Sequence, residues 1–209
     1  MNFSFDLYPV ITEELCNERS SVFVLEEILK AGVKLVQLRE KNKSKLELYN
    51  LAKQFRALTS EYKANLIIND HLDIALAVNA DGIHLGQADL PCAEARKIAP
   101  NIIIGVSTHN QEEINKARID GATYVNVGPI YSTQTKPGMQ SVGVNILKEL
   151  SILLPFTVMG GIKEENIPEL IANGAKTVAM ITEITKSPDI YGKTKILLSL
   201  IREEKSKMR

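Results

Sequence analysis

The sequence predicts an α/β fold, a single (β/α)8 TIM barrel, on three observations. Eight short apolar runs rich in Ile, Val and Leu recur along the 209 residues. Amphipathic stretches with apolar residues at helical intervals separate most of them. Gly32, Gly82, Gly121 and Gly174 each stand just before a run, where a helix C-terminus needs the left-handed conformation. Strands buried on both faces and joined by helices make a parallel sheet with right-handed crossovers. A count of eight favours closure over the main competitor, an open doubly wound sheet.

Taken in order, Leu7–Ile11 opens the series, and Val33–Leu38 follows Gly32 as the second strand. Lys45–Leu58 is amphipathic and leads to Asn65–Asn69. Asn69-Asp70 reads as a cap for LDIALAV, since Asn and Asp are preferred at helix N-termini. Gly82–Leu85 is the fourth run, and Asp89 before Leu90-Pro91 again looks like a cap, with Pro near the start of a helix. His84 reads as a packed strand histidine and His71 as a surface residue. Ile102–Gly105, the helical Gln111–Ile119 and Tyr124–Val127 follow, then Thr157–Gly160, the helical Asn166–Asn173 and Thr177–Ile181. No linker divides the chain, so residues 1–209 are expected to form one domain, with the charged end fraying from about residue 203.

Lys+Arg and Asp+Glu are both 25, so formal net charge is zero and no global field draws the protein to nucleic acid or anionic membrane. Small-molecule chemistry is the expected class. No run approaches the roughly 18 apolar residues of a membrane span, and the N-terminus lacks the pattern of a secretory signal. Cys16 and Cys92 have no Cys-x-x-Cys partner and no histidines at zinc spacing, which fits a reducing cytoplasm. Oligomeric state is not legible.

In a barrel, function gathers at the C-terminal ends of the strands, and the unusual polar residues fall there. Gln37, Arg39 and Lys41 share one face at the end of the second strand, because strand side chains alternate. Asn69 and Asp70 follow the third strand, Gln87 and Asp89 the fourth, and Ser107, Thr108 and His109 the fifth. Thr133, Thr135 and Lys136 follow the sixth, Gly160-Gly161 the seventh and Thr182 the eighth. The cations Arg39, Lys41 and Lys136 suit a polyphosphate. Asp70 and Asp89 suit Mg²⁺, which binds one or two carboxylates together with substrate phosphates and waters. Gly160-Gly161, ahead of a helix starting near Glu164, would receive a second phosphate on backbone N–H groups. Arg39 could instead form a structural ion pair with Glu40 or another carboxylate, and a glycine pair alone could be a plain turn.

The segments QLREK (37–41), INDHLDIA (68–75), DGIHLGQADLP (81–91), IGVSTHNQEE (104–113), YVNVGPIYSTQTKPG (124–138), MGGI (159–162) and VAMITEIT (178–185), in this order, resemble thiamine phosphate synthases over nearly the whole chain. The resemblance implies a transferase that joins hydroxymethylpyrimidine diphosphate to a thiazole phosphate, releasing pyrophosphate and forming thiamine phosphate. It places the pyrimidine diphosphate on Gln37, Leu38, Arg39, Glu40, Lys41 and Asn69, with Ser107 and Lys136 beside them, and Mg²⁺ on Asp70 and Asp89. It places the thiazole phosphate against Thr133, Gln134, Thr135, Gly160, Gly161, Ile181 and Thr182. Arg39, Lys41, Ser107 and Lys136 would carry the catalytic burden.

Several positions depart from the family pattern. His71 stands where Arg is common, and Gly138-Met139-Gln140 replaces a more polar stretch. Thr182 and Glu183 replace Ser and Ala, and a carboxylate beside a bound phosphate repels it unless it points away. That departure motivates a rival, a non-catalytic barrel that binds a thiamine precursor. The other rival is the related thiazole tautomerase, which tends to lose the acidic pair and to carry a catalytic histidine where this chain has Gly128-Pro129-Ile130.

Overall fold

Each apolar run contains or overlaps a strand in the computed structural model, which describes residues 3–133, 138 and 140–208. The strands are β1 (Leu7–Ile11), β2 (Leu35–Leu38), β3 (Asn65–Asn69), β4 (Gly82–Leu85), β5 (Ile103–Thr108), β6 (Tyr124–Val127), β7 (Phe156–Val158) and β8 (Thr177–Met180). All pair in parallel in sequence order, and β8 closes on β1 with Leu7 opposite Val178. The helices are α1 (Ser21–Lys30), α2 (Lys45–Glu61), α3 (Leu72–Ala77), α4 (Cys92–Ile98), α5 (Gln111–Ile119), α6 (Ile146–Glu149), α7 (Ile167–Ala172), α8 (Thr182–Thr185) and α9 (Ile190–Lys207). Side-chain oxygens fix several starts: Ser44 and Glu47 form a reciprocal capping box on α2, and Asn110 accepts from Glu113 N–H at 2.9 Å on α5.

Alternation along each strand builds two apolar layers. Outward residues such as Val36, Leu38, Ile68, Ile83, Ile104 and Val125 pack under the helices. Tyr8, Leu35, Ile67, Ile103, Tyr124 and Ala179 fill the barrel with Phe3. Helices therefore lie outside, and the next inward position on each strand faces the C-terminal mouth.

One expectation about the backbone changes. Gly32, Gly121 and Gly174 have the positive φ expected of a helix stop. Gly82 does not: it lies inside β4, where a Cβ would sit 2.5 Å from Ile67 Cδ1 and 2.7 Å from Ile103 O, and Asn79 supplies the left-handed residue after α3. The C-terminal helix continues to Lys207. Arg202 and Lys205 pair with Asp6 at 2.9 and 2.7 Å, and Lys207 pairs with Glu203 and Glu204. Cys16 and Cys92 are buried free thiols, and burial pushes Cys16 up to about 12. Among the described residues, no helix is long and apolar enough to cross a membrane.

Candidate active site

A cavity of about 610 Å³ opens at the C-terminal mouth. Its wall carries one inward residue from each strand or strand end: Val10, Gln37, Asn69, His84, Ser107, Asn126, Met159 and Ile181. Arg39, Gly128, Pro129, Thr133 and Gly160 extend it upward. The alternation that predicted Gln37 and Arg39 thus holds on every strand. Leu38 and Glu40 fall on the opposite parity and do not reach this cavity. Leu38 packs under the helices, and Glu40 is buried, accepting from Glu13 N–H at 2.8 Å.

Arg39 is therefore not the partner of Glu40. Its backbone carbonyl is held by the Thr12 hydroxyl at 2.7 Å, yet its half-buried guanidinium makes no hydrogen bond or ion pair among the described residues. Asn69 Nδ2 is buried with no hydrogen-bond partner among the described residues, although its residue lines the cavity. An unmet buried donor costs roughly 1–3 kcal/mol. A ligand that accepts from it would recover that cost.

Neither aspartate caps a helix. α3 has His71 at its N-cap and α4 has Pro91, both without a side-chain cap bond. Asp70, in the left-handed region at φ 60°, follows β3 and pairs with Lys41. Asp89 accepts Gly86 N–H at 2.7 Å, and a Cβ at Gly86 would come within 2.9 Å of the Asp89 carboxylate. The two carboxyls meet. Burial, opposed by Lys41, combines with the hydrogen bond to Asp89 to push Asp70 up. Burial also pushes Asp89 up, but hydrogen bonds from Asp70 and Gly86 outweigh it and hold Asp89 low. Such a pair shares one proton unless a cation neutralises it. No group of three or more His, Cys, Asp and Glu ligands exists among the described residues. Two hard carboxylates without a protein cage fit magnesium, which leaves its other positions to water and phosphate.

A second cavity of about 370 Å³ adjoins the first, sharing Thr133, Met159, Gly160 and Ile181, and adds Gly161, Lys163, Thr182 and Glu183. Gly160 and Gly161 have φ of 104° and 63°. A Cβ on Gly160 would lie 2.4 Å from Pro129 Cβ, and one on Gly161 2.3 Å from Ser132 O, so both conformation and space demand glycine. After a single 3₁₀ turn at Glu164–Asn166, α7 begins at Ile167. Glu183 engages Lys163 at 3.0 Å and Lys193 at 3.1 Å, and Lys193 also holds Glu164 at 2.9 Å. Burial would raise Glu183, but the two lysines hold it below the ordinary glutamate value. Its charge is thus offset in place, which removes the motive for the non-catalytic rival. Pro129 on the first cavity wall offers no histidine for the tautomerase rival.

The inward positions Tyr8, His84, Tyr124 and Asn126 were not singled out as functional from sequence, although strand alternation sets each of them on the inward face. His84 hydrogen-bonds Ser107 Oγ at 2.9 Å, and Gln87 donates to Ser107 O at 2.6 Å. His109 lines the cavity and is held on Glu113. Gln134, Thr135 and Lys136 lie outside the described residues.

A family model described as thiamine monophosphate synthase matches residues 7–184. The chain is 43% identical over 208 residues to the thiamine-phosphate synthase of Dictyoglomus turgidum, covering 97% of this chain and 92% of that one. It is 41% identical over 209 residues to that of Clostridium acetobutylicum, covering 99% of each. Its fold matches a thiamine phosphate pyrophosphorylase from Pyrococcus furiosus with TM-score 0.88, 33% identity and 96% of each chain covered.

Proposed function

The chain belongs to the thiamine monophosphate synthase family and is a thiamine-phosphate synthase, and we propose that it joins a hydroxymethylpyrimidine diphosphate to a thiazole phosphate in the rim cavity, releasing pyrophosphate. One observation carries the placement. The guanidinium of Arg39 and the Nδ2 of Asn69, both without a hydrogen-bond or ion-pair partner among the described residues, stand in the same wall, beside the cluster of Lys41, Asp70 and Asp89.

Pyrophosphate departs from a benzylic-type carbon that the electron-rich aminopyrimidine activates, and the thiazole nitrogen attacks the resulting cation-like centre. No general base has to touch that nitrogen. Stabilising negative charge on the leaving group is then the main task, and preorganised cations do it well. Arg39 binds the diphosphate directly. Lys41, held at the site by Asp70, can exchange that carboxylate for a phosphate oxygen. Asp70 and Asp89 would hold Mg²⁺, which when bound supplies further neutralisation of the leaving group. Gln37, Asn69 and Ser107 orient the pyrimidine. The glycine turn, Thr133, Ile181 and Thr182 receive the thiazole phosphate in the second cavity. Lys136, Gln134 and Thr135 join these roles on the family resemblance alone.

Arg39→Ala tests the placement. Pyrophosphate release is expected to fall about 100-fold or more, the scale for losing one preorganised charge-stabilising group, with the melting temperature unchanged. A near-native rate in a folded variant would remove Arg39 and this wall from the chemistry.

A further inference from the structure

Beneath the residues already assigned, five polar side chains cross the barrel in a continuous file. Gln37 Nε2 donates to the Tyr8 hydroxyl at 2.7 Å. Tyr8 and Tyr124 hydroxyls meet at 2.9 Å. The Tyr124 hydroxyl lies 3.0 Å from His84 Nδ1, and His84 Nε2 lies 2.9 Å from Ser107 Oγ. Both tyrosines are fully buried, and burial raises both phenols, so each stays neutral with a single proton to give.

With the Gln37 amide as donor and the imidazole neutral, that inventory has one direction. Tyr8 accepts from the amide, so its own proton goes to Tyr124. Tyr124 in turn gives its proton to His84 Nδ1. The imidazole is then the tautomer protonated on Nε2, and it donates to Ser107 Oγ. Ser107 has its proton left for the cavity it lines. At the other end, the Gln37 amide has given one N–H to Tyr8, which holds the amide in place and leaves its carbonyl oxygen and its second N–H for the cavity.

We propose that Tyr8, Tyr124 and His84 are positioning residues that set this polarity, making Ser107 a donor toward the pyrimidine ring, with the Gln37 carbonyl able to accept from the ring amine beside it. The inference rests on the synthase reading above and adds a specificity rule to it. An aminopyrimidine edge presents an amine donor beside a ring-nitrogen acceptor, which matches the file. The 4-oxo isostere presents a carbonyl acceptor beside a ring N–H, and that N–H meets the proton of Ser107 instead of an acceptor. The packing keeps the file rigid. Phe3 stacks on Tyr124 with centroids 4.2 Å apart, and Tyr124 fits only because residue 105 is Gly, where a Cβ would come within 2.1 Å of the ring.

Tyr124→Phe removes one hydroxyl and keeps the ring. The test compares kcat/KM for the aminopyrimidine diphosphate and its 4-oxo counterpart at saturating thiazole phosphate, and reads the His84 tautomer by ¹⁵N NMR. Wild type is expected to prefer the amino substrate by at least about 100-fold. The variant should cut that ratio at least about 10-fold, leave the KM for thiazole phosphate unchanged and mix the His84 tautomers. An unchanged ratio in the variant, or wild-type His84 protonated on Nδ1, would overturn the proposal. If Tyr124→Phe does not fold, Tyr8→Phe interrupts the same file and is expected to lower the ratio in the same way. A wild type that forms no thiamine phosphate would defeat the synthase reading instead, and the His84 tautomer would still decide the direction of the file.

Discussion

At the scale of single residues, the neighbours a side chain finds across the barrel decide what it does, and only part of that is written locally. Asn69-Asp70 and Asp89 have the sequence context of helix caps, yet Asp70 meets Lys41 and Asp89 instead, because a left-handed turn follows β3. Arg39 and Gln37 were legible since strand parity alone aims them inward, whereas the Tyr8, Tyr124 and His84 contacts depend on strands far apart in the chain. Glu183 looked hostile to a phosphate, because its partners Lys163 and Lys193 lie 20 and 10 residues away in the sequence. Removing that carboxylate leaves two ammonium groups beside the second cavity. Glu183→Ala is therefore expected to lower the KM for thiazole phosphate a few-fold by Coulomb attraction. The stability cost should be about 1 kcal/mol or somewhat more, since the Glu183 side chain is only 13% exposed and two lysines lose their counter-charge. Substrate kinetics and chemical denaturation check both, and a raised KM would mean instead that Glu183 is needed to hold Lys163 in place.

At the scale of elements, the strands were readable because their apolar runs are short, separate and bracketed by turn residues. Their ends were less so: β5 runs on to Thr108 through Ser107, whose polar side chain disguises strand as loop. The glycines show the same limit. Gly32 and Gly82 stand in similar contexts, but one serves a positive φ and the other the close approach of β3 and β5. Gly161 combines both demands. Gly161→Ala places a Cβ 2.3 Å from Ser132 O at a φ of 63°. It is expected to destabilise the fold by about 1–3 kcal/mol and to raise the KM for thiazole phosphate more than that for the pyrimidine diphosphate. Denaturant titration and two-substrate kinetics read both effects, and equal changes in the two KM values would contradict the assignment of this turn to the thiazole phosphate.

At the scale of the whole molecule, closure is what assembles the site, and it was inferred from counting rather than seen in any one segment. The ends of the chain share in it: Asp6, just before β1, holds Arg202 and Lys205 of α9. Burial raises Asp6, but its hydrogen bonds to Lys205 and Arg202 outweigh that and lower it. A carboxylate depressed on folding contributes stability that is present above its unfolded value near about 3.9 and disappears as pH falls through the folded value below it. Asp6→Asn is thus expected to be less stable than wild type at pH 7, by about 1 kcal/mol for a partly exposed cluster, and the difference should close at about pH 3 or below. Denaturation curves at both pH values test this. The central claim, that the closed barrel condenses two phosphorylated heterocycles at its C-terminal rim, is tested most directly by pyrophosphate release from the purified protein. The assay supplies hydroxymethylpyrimidine diphosphate, thiazole phosphate and Mg²⁺ and omits each in turn, with the product identified by mass. Release that needs all three and yields thiamine phosphate is the predicted result; thermal stabilisation by either substrate without turnover would contradict it.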